Sequence, residues 1–457
     1  MAKRKQQTED AEEQLMKDLW KISGGNSASL EKSLENMRGI PLERCLPLQY
    51  VLGVDGLPLH RMYSVVAAWG STKSAFCDEI CARIQRFGGR CYYMDNEKKK
   101  NPYQTLAQFR WFLEWTEDML LKIPGVAEKI PRTYTLLYPD SLDVMLKTLV
   151  AYLKVLNEFQ INNPDKLLKP SAIVLDSLFS LNNAEAINDI KEGEDINNIA
   201  NVRNAAAMKT YIQTANTLVY KLPVIVLMVN ELAEREQPSI DMGGKRGNPG
   251  PSKFRAREVG GKFKDFAYSG NFMLEGLDAG ASNPGYILGK TREVPHVRIN
   301  LKKACFGVQR DEPIVVPYRN INGADEQYGS TTLLWYDWDA SLTHLLHKVI
   351  GPNKLTGAFD ISCSGGDKYT SKTLELHSLS ATEFGAAIHA NPDVVKFLQD
   401  RVFNIQRIPK IVEEPDNTIA LPMGRMDTGL WPEQGTETKA SAENLVGAPK
   451  QEKLETV

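Results

Sequence analysis

Ala67-Ala68-Trp69-Gly70-Ser71-Thr72-Lys73-Ser74 is the stretch whose reading decides the fold. It follows a short run of strand-forming residues around Tyr63 and opens a helical stretch, the context a phosphate-binding loop requires. Such a loop aims backbone N–H groups and a helix N-terminus at phosphate oxygens. Lys73 would neutralise charge on the outer phosphates and the Ser74 hydroxyl would ligate magnesium, with Ala67, Trp69, Gly70, Ser71 and Thr72 forming the cradle. Against the pattern G-x-x-x-x-G-K-[ST], Ala67 replaces the first glycine and Thr72 the second. A Cβ at position 72 narrows the space for phosphate or strains the turn, since glycine serves where the backbone must approach closely. An ordinary strand-turn-helix corner with a solvated lysine is the competing reading.

Two strands downstream end in acids. Cys91-Tyr92-Tyr93-Met94-Asp95-Asn96-Glu97 places Glu97 24 residues after Lys73, where a carboxylate can orient and deprotonate an attacking water. Ala172-Ile173-Val174-Leu175-Asp176-Ser177 has the form of an element that holds a metal through water, and a third run, residues 224–229, ends at Asn230. Apolar runs at 63–68, 91–94, 172–175, 224–229 and 297–301 alternate with longer helix-like stretches. That alternation predicts an α/β core with a mostly parallel sheet flanked by helices.

Both ends differ from this core. Residues 1–39 read as an attachment arm, with Leu15, Leu19, Trp20 and Ile22 at roughly helical spacing before Gly24-Gly25. The core runs over 40–339. Residues 340–411 form a smaller unit with a helical stretch near 381–403, opened by Ser380 and Glu383 at capping-box spacing. Residues 412–457 carry nine acids against four bases and read as a disordered acidic tail. Two readings of that tail stand: a competitor with nucleic acid for the same groove, or an inert solvated segment.

The chain has 457 residues, 42% apolar and 25% charged, enough for one large domain with attachments. No run of eighteen apolar residues occurs and MAKRKQQTEDAEEQ has no apolar segment, so the expectation is a cytoplasmic protein with no membrane partner. Six cysteines without a CxxC pair read as reduced core residues, and six histidines form no metal or triad pattern. A net charge of −2 means that any nucleic-acid site rests on a local basic segment.

Gly56-Leu57-Pro58, the loop ending in Lys73-Ser74, the Asp95-Asn96-Glu97 strand end with Asn101-Pro102-Tyr103 after it, Asp176-Ser177, Asn230 and Gly260-Gly261 resemble, in order and approximate spacing, the RecA recombinases over residues 38–335. Residues 380–405 are similar to the C-terminal region of phage UvsX-type recombinases, which also carry a bulky residue just before the loop lysine. The resemblance implies a RecA-like P-loop core with an N-terminal polymerisation arm and a small C-terminal domain, and ATP and Mg2+ as cofactors. By position it implies Lys73 and Ser74 as phosphate and magnesium contacts, Glu97 as catalytic base and Asp176 as the Walker B acid. Tyr103 lies near the aromatic that stacks on adenine, although the family tyrosine aligns more nearly with Gln104. Asn230 falls where a polar residue senses the γ-phosphate and relays its state to the DNA loop. Glu231 stands where bacterial members have glutamine, and a carboxylate cannot donate the hydrogen bond an amide can. Lys302 and Lys303 sit where the family places lysines that reach the γ-phosphate of a neighbouring subunit, a solvated strand end being the other reading.

Residues 242–257 hold four glycines, two prolines, five basic residues and no acid, which predicts a mobile basic loop with no regular element between Asn230 and Gly260. Lys245, Arg246, Lys253, Arg255 and Arg257 can neutralise phosphates, and Phe254 can stack between bases. In the resemblance this is the second DNA-binding loop. Residues 182–203, ending at Arg203, occupy the first-loop position, where a DNA contact and a plain surface loop are equally open. The implied function is an ATP-dependent recombinase, a DNA-dependent ATPase that forms helical filaments of itself on single-stranded DNA and pairs it with double-stranded DNA. Single-strand-binding and mediator proteins are the further partners, and the host cytoplasm is the compartment if the chain is phage-encoded. A non-hydrolysing mediator or structural filament protein, and a hexameric helicase motor on the same core, are the alternatives.

Overall fold

Ser171-Ala172-Ile173-Val174-Leu175-Asp176 is buried at every position, as a strand covered on both faces must be. The computed structural model describes residues 38–42, 44–67, 72–100, 134–164, 168–178, 198–235, 255–258, 268–277, 295–307, 310, 312–325, 329–354, 359–364 and 368–410. The arm up to residue 37, the stretch holding Tyr103, and the tail from residue 411 lie outside them.

Six strands run parallel in the order β9-β3-β7-β6-β4-β5. They are β3 (Arg61–Ala67), β4 (Arg90–Asp95), β5 (Tyr134–Leu137), β6 (Ser171–Asp176), β7 (Val224–Arg235) and β9 (Gly270–Leu277). Three antiparallel strands, β10 (His296–Ala304), β11 (Ile314–Asp325) and β12 (Gly329–Tyr336), extend the sheet beyond β9. The chain is thus α/β with a mostly parallel central sheet.

Side-chain alternation assigns the two covering layers. Tyr63, Val65, Tyr93, Val174 and Leu227 join one apolar cluster with Phe76 and Ile80 of α2 (Lys73–Arg86). Met62, Val66, Ile173 and Val226 are buried as well and point the other way. Tyr92 on that second face lies 4.1 Å, ring to ring, from Tyr152 of α3 (Leu142–Asn162), which packs beside α4 (Asn198–Val219).

Before β3 come β1 (Gly39–Pro41), α1 (Leu46–Leu52) and β2 (Gly56–Pro58). After β12 come α5 (Trp338–Lys354), the small sheet β13 (Ile361–Ser364), β14 (Lys368–Ser371) and β15 (Leu376–Leu379), then α6 (Ala381–His389), α7 (Pro392–Phe397) and a π-helical turn (Leu398–Val402). Gly385 lets α6 press onto α5, because a Cβ there would lie 1.9 Å from the Asp339 carbonyl oxygen. The chain then returns to its beginning: Gly39 N donates to Pro409 O at 2.8 Å, Ile408 N to Asp55 Oδ1 at 3.0 Å, and Lys410 pairs with Asp55 at 2.8 Å.

Four readings are corrected. Both flanks of the basic segment are regular: β7 runs on to Arg235, and β8 (Arg255–Glu258) pairs with it antiparallel, Leu232 opposite Glu258 and Arg235 opposite Arg255. The ladder gives the backbone partners that a loop would lack. Arg203 belongs to a helix rather than a loop, since the alanine-rich run after it favours α4 from Asn198 onward. The helix expected over 381–403 is interrupted, because Asn391 caps a new helix that has Pro392 in its first turn. Cys305 is exposed rather than a core residue, although all six cysteines are free. Ser380 and Glu383 form the expected capping box, with Glu383 N to Ser380 Oγ at 3.3 Å and Ser380 N to Glu383 Oε2 at 2.9 Å.

Candidate functional site

Parallel strands end on a common edge, and the register shows which residues share it. Asp95 lies opposite Asp176 on β4 and β6, and Ala67 opposite Glu231 on β3 and β7, with Asn230 one step behind. Ligands of open α/β sheets bind outside this carboxyl edge. Thr72, Lys73 and Ser74 arrive there at the start of α2, the first turn of which contains no acid.

Ser74 Oγ donates to Asp176 Oδ2 at 2.6 Å, and Tyr93 Oη donates to the same oxygen. Burial pushes the Asp176 carboxyl above its ordinary range, and those two hydrogen bonds, with Lys100 nearby, oppose the shift. Lys73 Nζ donates to the Ala67 carbonyl at 3.2 Å and lies 3.7 Å from Glu231 Oε1. Asn96 exchanges two bonds with Ser177, Nδ2 to O at 2.7 Å and Ser177 N to Oδ1 at 2.8 Å. Ser177 Oγ in turn donates to Glu97 Oε1 at 3.3 Å, while Lys99 Nζ holds Glu97 Oε2 at 2.5 Å. Glu97 raises the Lys99 pKa, first by that hydrogen bond and then by its charge. Asn230 is buried and accepts from Glu231 N at 3.0 Å through its side-chain oxygen.

Lys73, Ser74, Glu97, Asp176, Asn230 and Glu231 therefore meet at one edge, with Ala67 at its base. Lys302 and Lys303 do not join them within this chain. Lys303 lies opposite Asn271, which lies opposite Ser64, three residues back from Ala67 and two strands from β3. Trp69, Gly70, Ser71, Tyr103, Lys245, Arg246, Lys253 and Phe254 fall outside the described residues. Arg203, Arg255 and Arg257 are placed by backbone alone, in α4 and β8.

Several contributors were not legible in the sequence. Lys100 Nζ pairs with buried Asp78 of α2 and lies 4.1 Å above the Tyr93 ring, while its backbone N–H donates to Asp95 Oδ2 at 2.8 Å. Burial raises the Asp78 pKa even against that ion pair. Tyr93 had read as one more apolar strand residue. Thr72 does carry the strain its Cβ predicted, with a left-handed φ of 56°. Among the described residues no group of three or more His, Cys, Asp or Glu side chains is arranged to hold a metal, and no helix is long and apolar enough to cross a membrane.

The class defined here is an α/β protein whose strand-edge site combines Lys73, the Ser74 hydroxyl and three carboxylates, Glu97, Asp176 and Glu231, reached from three strands and a helix start. No protein-family model matches the chain.

Proposed function

We propose that the chain is an ATP-driven DNA strand-exchange protein of the RecA type, similar in kind to the phage UvsX recombinases. The observation that carries the reading is the 2.6 Å contact of Ser74 with Asp176 at a shared strand edge, flanked by Lys73 and Glu97. A hydroxyl and a carboxylate are hard oxygen donors, and Mg2+ takes few protein ligands when phosphates and waters complete its shell, so the pair fits that ion. Held by Ser74 and Asp176, magnesium would supply charge neutralisation at the phosphates.

Lys73 balances the outer phosphates, exchanging Glu231 for a more highly charged partner. The Glu97 carboxylate takes a proton from the attacking water, with Ser177 and Lys99 fixing its two oxygens. Glu231 immediately precedes the β7–β8 ladder, so its release from Lys73 bears on the strand that carries Arg255 and Arg257. Residues 236–254 and that strand form the grip on nucleic acid, aimed at the backbone so that base pairing between strands reads the sequence. Lys302 and Lys303, set away from the edge, act on the nucleotide of the next copy in a filament.

The test is ATP turnover by purified protein with and without single-stranded DNA. Turnover is expected to depend on the DNA, to fall with added salt, and to vanish in Lys73→Ala. DNA-independent turnover that survives Lys73→Ala would reject the site.

A further inference from the structure

Thr72 holds a conformation that costs a β-branched residue energy, immediately before α2. The residue that meets it comes from the far end of the sheet. Tyr336 closes β12, four strands from β3 in the sheet order, yet its hydroxyl lies 3.0 Å from the Thr72 carbonyl oxygen and 2.9 Å from Thr72 Oγ1. Tyr336 is fully buried, and its ring packs 5.7 Å from that of Trp338. Trp338 reaches the same helix, donating from Nε1 to Glu79 Oε1 at 2.6 Å, and Arg83 holds that oxygen at 2.8 Å. Two neighbouring aromatics thus fasten the first two turns of α2 to the antiparallel end of the sheet.

Resting on the nucleotide-site reading above, the geometry points to Tyr336 as a positioning residue that braces Thr72, so that a threonine serves where the loop pattern calls for glycine. A phenol has one proton and a carbonyl oxygen only accepts, so Tyr336 donates to the Thr72 carbonyl and accepts from the Thr72 hydroxyl, which satisfies the pair. The Thr72 carbonyl also accepts the first helical bond, from Phe76 N at 3.0 Å. Fixing that carbonyl fixes the plane of the Thr72–Lys73 peptide, and with it the direction of the Lys73 N–H at the start of α2. Burial holds the phenol well above its ordinary pKa, so the proton stays in place throughout the neutral range. The hydroxyl of Thr72 is therefore part of the device: it supplies the second half of the bracket that its own Cβ makes necessary.

The experiment titrates a methylanthraniloyl-labelled, non-hydrolysable ATP analogue with Mg2+ into the full chain and four variants, with thermal unfolding of each recorded alongside. Tyr336→Phe removes one oxygen and is expected to weaken binding about 5- to 10-fold, the scale of one lost hydrogen bond. Thr72→Gly adopts the left-handed backbone without help, so on that background Tyr336→Phe should cost little, the double variant binding within about twofold of Thr72→Gly alone. Thr72→Val keeps the strain and loses the hydroxyl, so it should bind as weakly as Tyr336→Phe even if the latter folds poorly. A purely structural tyrosine would lower the unfolding temperature without that rescue. Parent-like binding by Tyr336→Phe and Thr72→Val, or additive losses in the double variant, would overturn the bracing role and leave the nucleotide site standing. No binding of the analogue by the parent would overturn both.

Discussion

The strand edge around Asp176 and the C-terminal unit around Ser380 use polar groups in opposite ways. At the edge, Asp176 and Asp78 are buried and their partners come from far along the chain: Asp176 is met by Ser74 and Tyr93, and Asp78 by Lys100. In the C-terminal unit, carboxylates sit at the surface and serve the backbone beside them: Glu383 accepts from Ser380 N, and Asp360 Oδ1 accepts from Thr373 N at 2.9 Å. The pKa directions follow. Burial raises Asp176 and Asp78, whereas backbone N–H donors lower Glu383 and Asp360. Buried charge that opposes stability is what a fold keeps when the charge has work to do, and local capping is what it keeps for stability alone.

The sharpest way to break this contrast is at Glu97. Glu97→Gln leaves the fold intact and keeps an acceptor for Ser177, so nucleotide should still bind while turnover falls about 10²- to 10⁴-fold, the range for a lost general base. Equal turnover in the variant would remove the edge from the chemistry.

A smaller effect separates the two kinds of carboxylate by pH. A raised folded-state pKa means that stability is present below the unfolded value, near 4, and is lost as pH rises through the folded value. Asp176→Asn should therefore unfold at a higher temperature than the parent near pH 8, with the gain shrinking as pH falls through the carboxylate range, while ATP turnover is lost. Thermal unfolding across pH checks the sign; a gain that grows on acidification would contradict it. The smallest effect belongs to the C-terminal unit. Ser380→Ala should cost about 1 kcal/mol of stability, as loss of an N-cap does, and leave turnover per folded molecule unchanged.

The same contrast explains what the sequence made legible. Ser380 and Glu383 were readable because a capping box is local, three residues apart. β3, β4, β6, β7 and β10 were readable because apolar runs leave a continuous pattern, and Asp95, Glu97 and Asp176 stood out as acids closing such runs, whereas β5, β9, β11 and β12 were not read. Tyr93, Lys100 and Tyr336 were not, because nothing in spacing announces a partner more than twenty residues away, and an aromatic inside an apolar run looks like core. The hairpin flanking residues 236–254 was hidden by composition: glycine and proline between the flanks signalled a loop, while the flanks themselves, Leu232 to Arg235 and Arg255 to Glu258, are too polar to read as strand.

The most direct measurement is an electron cryomicroscopy reconstruction of the protein with Mg2+, a non-hydrolysable ATP analogue and single-stranded DNA. The expected result is a helical filament with the triphosphate against Lys73, Ser74 and Asp176, Lys302 and Lys303 of the adjacent copy facing it, and DNA along the segment between β7 and β8. A triphosphate bound elsewhere, or an edge with no room for it between Lys73 and Glu97, would contradict the assignment.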